Sequence, residues 1–416
     1  MIYFDNNATT IVPPEVIKEM VKWINKGNPS ASYKTAVECR NLMKEFRDYI
    51  AKKCNFISYE EDTKYTNAEL PKLYQIVFTS GASESNNTIL RSIADAYKFN
   101  TSITPHIIVS SIEHKTIIDC ANQLAGIGRI EVTFVSPDKL GFIQPESIEK
   151  HIKSNTALIC VMHANNETGA INNIKRIGAI AHSHQVPFFT DDVQSFGKYS
   201  IDPIAMNVDA FSVSFHKLHG PQGVGLLVIK RQFLEGFHLM PQVCGSQNCG
   251  FRGGTENIPG IAASYIGTKI TWADRRYKND KMKEIKQRII TELGKRIPCQ
   301  NYADYLVTPT AYPMQIVFLS TADKIYLPNT LMIAVIKKSG DMCNIKLKKS
   351  LEDAGIIVSI GSACNTSSSK ASHVLTEMGV GVEIKKGTIR ISLAEENTLA
   401  EADIFVEKFI QILKNM

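Results

Sequence analysis

The fold class of this chain is decided by one segment, Ser212-Val-Ser-Phe-His-Lys217-Leu-His-Gly-Pro-Gln-Gly-Val-Gly225. It places a lysine directly after an apolar strand predicted over residues 209–214 and before a Gly-Pro turn. A lysine amine in that position can condense with an aldehyde cofactor and hold it as a Schiff base. We therefore expect further polar groups of one binding site at the ends of neighbouring strands.

Short apolar strands alternate with helix-length segments from about residue 75 onward. This alternation predicts an α/β fold in which a seven-stranded, mostly parallel sheet is covered by helices on both faces. The predicted strands cover residues 75–79, 106–110, 131–135, 157–162, 187–190, 209–214 and 224–229.

A second, smaller domain is predicted from the length and from the change in pattern near residue 260. A chain of 416 residues exceeds the usual size of a single hydrophobic core. Residues 261–293 predict one or two long helices with a heavily charged face, and such helices often bridge domains. We expect a large domain at 13–262 and a small α+β domain at 1–12 and 263–416. The latter contains strands predicted at 314–319, 330–336, 355–360 and 387–393, and surface insertions are predicted at 59–72 and 301–312.

Polar motifs follow five of the predicted strands of the large sheet. Ligands of open parallel sheets bind outside the carboxyl ends of the strands. Each motif alone is more often turn chemistry than function, but five at one edge predict a ligand site. The motifs are Ser80 to Asn86, Glu113 to Lys115, His163 to Gly169, Asp191 to Ser195, and Ser214 with His216 and Lys217.

The side chains of these motifs fit one cofactor, pyridoxal 5′-phosphate. Ala82 and Ser83 open a helix whose N-terminus could bind a phosphate. Asp191 could accept the proton of a pyridinium nitrogen, and His114 offers an imidazole at the mouth of the site. A dinucleotide is disfavoured, because no Gly-x-Gly-x-x-Gly follows the first predicted strand, and no Walker-type run occurs.

Two residues of the second domain are also candidates for the site. Cys364 lies in a small, polar segment after a predicted strand, where a thiol is expected to be accessible and nucleophilic. A linker with an incidental cysteine is an equal alternative. Arg390 stands inside an apolar strand, so it must meet an anion, either a structural carboxylate or that of a substrate.

Composition excludes several other classes of protein. The nine cysteines are irregularly spaced without a Cys-x-x-Cys pair, which argues against a disulfide framework and predicts no metal site. The net charge of +6 is spread along the chain without aromatic-basic interleaving, so we expect no nucleic-acid partner. No apolar run approaches the roughly 20 residues of a membrane span. The first residues lack a basic flank followed by a long apolar core, so we expect no secretory signal and predict a cytoplasmic protein.

Taken together, these motifs resemble the cysteine desulfurases, specifically the NifS/IscS-like class I group of the aminotransferase class V superfamily, which have PLP fold type I. The motifs that carry the resemblance are Tyr3 to Thr10, Gly27 to Ser30, Phe78 to Ser85, Glu113 to Lys115, His163 to Gly169, Asp191 to Gly197, Ser214 to Gly225, Arg252 to Asn257, Gly361 to Cys364, Ser372 to Leu375 and Arg390 to Leu393. Departures from the family pattern include Tyr33, Asp192, Phe215 and Gln222, and none removes a catalytic group.

The resemblance implies a role for each candidate residue. Lys217, Cys364 and His114 are implied as catalytic residues. The implied cofactor-binding residues are Ala82, Ser83, His114, Asn166, Asp191, Gln194, Ser214, His216, Lys217 and Thr255, the last supplied by the neighbouring subunit of a homodimer. Asn166 and Arg390 are implied to bind the substrate carboxylate.

The activity implied is removal of sulfur from L-cysteine, which gives L-alanine and a persulfide on Cys364. That persulfide would pass to a sulfur-acceptor protein for iron–sulfur cluster assembly or tRNA thiolation. Two alternatives stay open from the sequence: a selenocysteine lyase on the same fold, and a catalytically weak sulfur carrier. Retention of both Lys217 and Cys364 argues against the second alternative.

Overall fold

The structure is a computed structural model. It describes residues 1–310, 312–361 and 372–416. Cys364 therefore lies outside the described residues. The strands are β1 (Ile2–Tyr3), β2 (Ile57–Ser58), β3 (Leu73–Thr79), β4 (His106–Ser110), β5 (Glu131–Val135), β6 (Thr156–Cys160), β7 (Phe188–Asp191), β8 (Ala210–Ser214), β9 (Gly225–Lys230), β10 (Cys299–Asn301), β11 (Met314–Phe318), β12 (Thr330–Lys337), β13 (Ile356–Ile357) and β14 (Thr388–Ser392). The helices are α1 (Pro14–Trp23), α2 (Lys34–Cys54), α3 (Ala82–Thr101), α4 (Lys115–Gly126), α5 (Pro145–Glu149), α6 (Ile174–Ser183), α7 (Arg231–Gly236), α8 (Ile258–Trp272), α9 (Arg275–Gly294), α10 (Tyr302–Val307), α11 (Asn344–Asp353), α12 (His373–Glu377), α13 (Val382–Lys386) and α14 (Leu399–Asn415).

The large sheet has the strand order β2-β3-β9-β8-β7-β6-β4-β5. Strand β9 is antiparallel to both of its neighbours, β3 and β8, and the other pairs are parallel. All seven predicted strands are present, so the prediction of a mostly parallel α/β sheet is confirmed. Strand β2 is an eighth, edge strand of two residues, which is too short for an alternating pattern to reveal.

Five strands of this sheet, β3, β4, β6, β7 and β8, point in the same direction. Their carboxyl ends therefore lie along one edge, and each is followed by one of the five polar motifs. The register supports this alignment, because Asp191 at the end of β7 pairs with Ser212 of β8 and Ser214 pairs with Gly225 of β9. The sheet thus gathers the motifs where the sequence predicted a ligand site.

Apolar side chains cover both faces of the large sheet. Along β9, Leu226 and Val228 belong to one core cluster, whereas Leu227 and Ile229 belong to another on the opposite face. Helices α2 and α8 supply the first cluster, and α3 and α4 supply the second. Since every strand residue from 226 to 229 is buried, the strand lacks the polar alternation of a half-exposed sheet.

A second sheet is formed by the carboxy-terminal part of the chain in the order β10-β11-β12-β14. Strands β11, β12 and β14 are antiparallel neighbours. The strand predicted at 355–360 is shorter than expected, because only Ile356 and Ile357 form β13, and they pair with β1. This pairing joins the first residues of the chain to its last quarter. The domain boundaries at residues 12 and 262 stay a prediction.

The predicted long helical stretch is two helices, α8 and α9, separated at Ala273 and Asp274. Helix α8 packs on α1 and α2, whereas α9 packs on α14. The predicted insertion at 301–312 contains helix α10, and Tyr302 at its start is buried in the core. Throughout residues 1–310, 312–361 and 372–416, no helix combines the length and apolarity needed to cross a bilayer.

The approach of β9 to the N-terminus of α3 predicts that Gly225 cannot be replaced. An added Cβ at Gly225 would lie 2.5 Å from the Cα of Gly81 and 2.7 Å from the carbonyl oxygen of Val213. Gly225→Ala should therefore lower the free energy of unfolding by about 1–3 kcal/mol, as overpacking does. Urea denaturation measures the change. Gly126→Ala, where an added Cβ meets nothing within 4 Å, is the control, and equal stability of both variants would contradict the prediction.

Candidate active site

Lys217 ends a short 3-10 turn, Phe215–Lys217, that follows β8. Its amine donates a hydrogen bond of 2.6 Å to the carbonyl oxygen of Asn7, and a second one to that of Ala8. Phe215 is fully buried and packs against Phe46, with 5.2 Å between ring centroids. Phe215, which departs from the family pattern, is thus anchored in the core and holds the turn that carries Lys217.

The carboxylate of Asp191 is fixed by donors on both of its oxygens. Asn86 of α3 donates to Oδ2 at 3.0 Å, and the backbone N–H of Val193 donates to Oδ1 at 3.0 Å. The Oδ1 of Asn86 in turn accepts from the hydroxyl of Ser212 at 2.7 Å, which fixes the amide orientation. Burial raises the pKa of Asp191, and the nearby His114 opposes that shift. A proton-bearing ring nitrogen is the kind of partner that would stabilise the charged carboxylate here.

His114 caps the N-terminus of α4 with its own side chain. Its Nδ1 accepts from the backbone N–H of Thr116 at 3.2 Å, so the proton of the neutral imidazole is assigned to Nε2. Burial lowers the pKa of His114, with Asp191 acting in the opposite direction. Glu113 beside it is fully buried, and burial raises the pKa of its carboxyl to about 8. Burial thus favours the uncharged forms of both side chains.

The residues predicted to bind a phosphate lie where three segments meet. Gly81 has a φ of +155° and precedes Ala82, the first residue of α3. A Cβ at Gly81 would lie 3.6 Å from the hydroxyl of Ser214, so the hydroxyl faces the start of the helix. Ser83 is exposed in the first turn. Burial, assisted by the charge of Lys217, lowers the pKa of His216 to about 4, so its neutral ring keeps one N–H donor.

Arg390 lies on β14 with only 1% of its surface exposed. Its guanidinium donates to Oδ1 of Asp5 at 2.7 Å and to the carbonyl oxygen of Asn166 at 2.9 Å. Its Nε is buried and, within the part of the chain that the structure describes, has no hydrogen-bond partner. The anion that the sequence predicted beside Arg390 is therefore the carboxylate of Asp5. The substrate-binding role of Arg390 and Asn166 stays a prediction.

Asn7 is a residue of this site that the sequence did not single out. Its carbonyl oxygen accepts from Lys217 and, at 3.1 Å, from the Nε2 of Gln194. Its backbone N–H donates to the hydroxyl of Ser392 at 2.9 Å, and its side chain donates to that of Thr330 at 2.8 Å. The motif Tyr3 to Thr10 was the available signal, but a role for one backbone carbonyl is invisible without coordinates.

Thr255 is exposed and stands apart from these contacts. The loop before it is held by Arg252, whose guanidinium binds both carboxylate oxygens of Glu84 in the first turn of α3, at 2.8 and 3.2 Å. The exposure is compatible with a role across a subunit interface, and that role stays a prediction. Cys364 lies beyond the described residues, so its distance from Lys217 is not defined.

A cluster of ion pairs lies two residues from the lysine. His219 Nε2 is 3.1 Å from a carboxylate oxygen of Glu395, which also binds Lys278 at 2.9 Å. These contacts with Glu395 raise the pKa of His219 against the opposing effect of burial. The pKa of Glu395 falls to about 2 because His219 and Lys278 outweigh its burial. Glu396 is 3.8 Å from the imidazole of His219. The three side chains do not favour a metal ion, because Lys278 already neutralises the carboxylate of Glu395.

Comparisons with known proteins identify the family of this chain. Residues 2–405 match the family model described as aminotransferase class-V. A protein named cysteine desulfurase IscS from Methanosarcina thermophila is 35% identical over 100% of this chain and 93% of its own length. A solved NifS-like protein aligns with a TM-score of 0.81 at 29% identity, covering 100% of both chains. A structure described as SspA in complex with cysteine aligns with a TM-score of 0.72 at 30% identity, covering 96% of this chain and 100% of that one.

The chain belongs to the aminotransferase class V family, and its resemblance to NifS/IscS-like proteins is confirmed. Matches of this extent span both sheets, so they test the fold as a whole and not a single motif.

The His219 ion pair predicts a pH dependence of stability. Because the folded pKa of His219 is raised above its ordinary value of about 6.5, its contribution is complete below that pH and is lost as the pH rises through the folded value. His219→Gln should therefore cost roughly 1.5–3 kcal/mol at pH 6 and less at pH 9. Urea unfolding at the two pH values measures this difference. The exposed His151 supplies the control variant His151→Gln, and a cost for His219→Gln that does not change with pH would contradict the prediction.

Proposed function

We propose that this protein is an L-cysteine desulfurase that uses pyridoxal 5′-phosphate, releases L-alanine and leaves the sulfur as a persulfide on Cys364. The observation that carries the proposal is the convergence of Lys217 and Gln194 on the carbonyl oxygen of Asn7, at the sheet edge where Asp191 ends β7. Relatives named cysteine desulfurase, at 30–35% identity over nearly the whole chain, support the same activity.

The residues at this edge fit pyridoxal 5′-phosphate. The Nε2 of Gln194 donates one of its two N–H groups to the carbonyl oxygen of Asn7, so the second can donate to a ligand oxygen. Asp191 is a buried carboxylate suited to a protonated ring nitrogen. The residues that would hold the cofactor are Ala82, Ser83, His114, Asn166, Asp191, Gln194, Ser214, His216, Lys217 and, from the neighbouring subunit, Thr255.

Bound pyridoxal phosphate supplies an electron sink that weakens the bonds around the α-carbon of an amino acid. The chain itself supplies proton transfer and orientation. The Nζ of Lys217 removes the α-proton, and the surrounding carbonyl oxygens of Asn7 and Ala8 hold that nitrogen in place before reaction. His114 stays uncharged at neutral pH, because burial lowers its pKa.

Substrate specificity is assigned to Arg390 and Asn166. The guanidinium keeps one buried N–H, at Nε, that the described residues leave without an acceptor. A substrate carboxylate can accept a hydrogen bond from this N–H, while Asp5 and the carbonyl oxygen of Asn166 hold the two other nitrogens of the guanidinium. The pair therefore favours α-amino acids with a free carboxylate.

The sulfur step balances without an external oxidant. The thiolate of Cys364 attacks the sulfur of L-cysteine, the Cβ–S bond breaks, and Cβ gains a proton to become the methyl group of alanine. The sulfane sulfur then remains on Cys364 as a persulfide. A second thiol, from an acceptor protein of iron–sulfur assembly or tRNA thiolation, takes it away. We further propose a homodimer completed by Thr255 and a cytoplasmic location.

Replacement of Lys217 tests the cofactor assignment. Lys217→Ala removes both the amine that joins the cofactor and the base, so alanine formation should fall by roughly 10²–10⁴-fold. Borohydride reduction followed by mass spectrometry should label Lys217 in the wild type and no lysine in the variant. Lys198→Ala, which removes a neighbouring lysine bound to the carbonyl of Gln194, is the control. A cofactor still trapped by borohydride in Lys217→Ala would refute the assignment.

Replacement of Cys364 tests the sulfur step separately. Cys364→Ala should bind cofactor and L-cysteine as the wild type does, since the residues proposed to hold them are unchanged. It should release little sulfide when a reductant is present, because the nucleophile is absent. Alanine and sulfide are assayed together, with Cys343→Ala as the control thiol. Wild-type sulfide release from Cys364→Ala would show that another cysteine accepts the sulfur.

A further inference from the structure

One edge of β3 is incompletely paired among the described residues. On that side β2 pairs with the first two residues of the strand, and β9 lies on the other side. The N–H and C=O groups of an open strand edge need partners from elsewhere. Two side chains supply them. The Nε of Arg47 on α2 donates to the carbonyl oxygen of Ile76 at 3.3 Å, and the Oδ1 of Asn248 accepts from the N–H of Phe78 at 3.1 Å.

Asn248 makes three side-chain hydrogen bonds, although only 6% of its surface is exposed. Its Oδ1 accepts from Arg47 at 3.2 Å as well as from Phe78, and its Nδ2 donates to the carbonyl oxygen of Arg252 at 3.1 Å. Its backbone carbonyl oxygen accepts from the side chain of Gln75 on β3 at 2.7 Å. An amide suits this position, because it offers an acceptor and a donor at once. The residue therefore docks its loop on the strand edge.

The docked loop comprises residues 243–257 and is named the Thr255 loop after the residue near its end. Asn248 and Cys249 both have left-handed backbone conformations, with φ of +51° and +53°. Asparagine tolerates this conformation better than most residues do. The N–H of Gly250 then donates to the carbonyl oxygen of Gln247 at 3.1 Å, so the chain turns back on itself at this point.

The first half of the Thr255 loop holds the residues directly before Thr255. The N–H of Gly254 donates to the Oε1 of Gln247 at 3.0 Å, and the N–H of Gly253 donates to the carbonyl oxygen at position 243 at 2.7 Å. Asn248 binds the carbonyl oxygen of the residue before these two glycines. Thr255 itself is exposed. A backbone held at three successive residues thus presents an exposed hydroxyl group.

The Thr255 loop is also tied to the helix that follows β3. Arg252 binds both carboxylate oxygens of Glu84 in the first turn of α3. The loop is therefore docked on a strand and a helix of its own subunit, and it exposes Thr255 to a neighbour. A hydrogen bond from a hydroxyl group to an oxygen requires a separation of about 2.5–3.0 Å. A small shift of the docked loop is therefore enough to lose a contact made by Thr255.

We propose that Asn248 and Gln247 are positioning residues for Thr255, which fix the Thr255 loop on the edge of β3 so that the threonine completes the cofactor site of the neighbouring subunit. The proposal rests on the proposed function, since the cross-subunit role of Thr255 belongs to it. It adds that Asn248 acts on the site of the other subunit and not on that of its own.

Cofactor affinity provides the first test. Asn248→Gly removes the three side-chain hydrogen bonds but permits the left-handed backbone, so the dissociation constant for pyridoxal 5′-phosphate should rise roughly tenfold. Asn248→Asp keeps the acceptor for Phe78 and Arg47 and should stay within about threefold of the wild type. Absorbance titration of the cofactor-free protein measures the constant. Wild-type affinity in Asn248→Gly, or an equal loss in Asn248→Asp, overturns the proposal.

A matched control and an independent variant accompany this test. Asn55→Gly also removes an asparagine side chain at a left-handed position, with φ of +62°, but its amide binds Asp202 at the surface, so cofactor affinity should not change. Gln247→Ala removes the acceptor for Gly254 without altering the strand edge, so it tests the loop even if Asn248→Gly does not fold. Gln247→Glu keeps that acceptor. Gln247→Ala should weaken cofactor binding and Gln247→Glu should not, and equal affinities would refute the positioning role.

Mixed dimers show in which subunit Asn248 acts. Lys217→Ala in one chain leaves a single Lys217 per dimer that borohydride can trap with the cofactor. When the other chain carries Asn248→Gly, this lysine receives Thr255 from an intact loop, and trapping at subsaturating cofactor should equal that of a mixed dimer without Asn248→Gly. When Asn248→Gly is moved to the Lys217→Ala chain, trapping should fall. Equal trapping in the two arrangements, or the reverse order, overturns the proposal.

Replacement of Thr255 separates the inference from the proposed function. If Thr255→Ala binds the cofactor as tightly as the wild type, the cross-subunit role of Thr255 fails, and the positioning role fails with it. If Thr255→Ala weakens binding and Asn248→Gly does not, the positioning role alone fails. In Asn248→Gly, peptides covering residues 243–257 should also exchange hydrogen for deuterium faster than in the wild type before cofactor is added. Unchanged exchange would show that Asn248 does not hold the loop.

Discussion

The carbonyl group and side chain of Asn7 form the connection on which the site depends. Asn7 accepts from Lys217 and Gln194 of the large sheet and binds Ser392, Thr330 and Asn329 of the second sheet. Both the carbonyl and the amide are buried, where an unmade hydrogen bond costs about 1–3 kcal/mol. Each partner is therefore held by the same buried group, so that Lys217, Gln194 and the strand that carries Arg390 are fixed relative to one another.

Buried acids concentrate at the same sheet edge. Glu113, Glu167, Asp191 and Asp192 are all buried, and each of them except Asp191 has an oxygen without a hydrogen-bond partner among the described residues. Asp192, which departs from the family pattern, is paired with His163 at 2.7 Å. Such a cluster of buried acids lowers the stability of the fold, because removing carboxylates from water is unfavourable. A cationic group bound at this edge would offset part of that cost, because charges interact more strongly where water is excluded.

The strands and motifs could be predicted from the sequence, but the contacts between side chains that are far apart in the sequence could not. All seven strands of the large sheet and the common edge of five motifs could be predicted, because apolar periodicity and chain direction are local properties. The roles of Asn86 and Asn7 could not. Asn86 reaches Asp191 from a helix 105 residues away in sequence, and no pattern within α3 reveals that contact. For Arg390 the residue type predicted an anion, but only the fold identifies it as Asp5. The edge strand β2 was missed because two residues carry no period.

The position of Asn7 also constrains how the protein can be made. Its hydrogen bond to Ser392 spans 385 residues, so during translation Asn7 leaves the ribosome long before its partner does. The entropic cost of closing such a loop grows only logarithmically with its length. The contact is therefore delayed by the time needed to synthesise the partner and not by an unfavourable free energy of loop closure. Until then the large sheet can assemble with its lysine in place, yet the nascent chain lacks the frame that holds the amine. The hydrogen bonds around Asn7 therefore stay incomplete during translation until β14 has emerged.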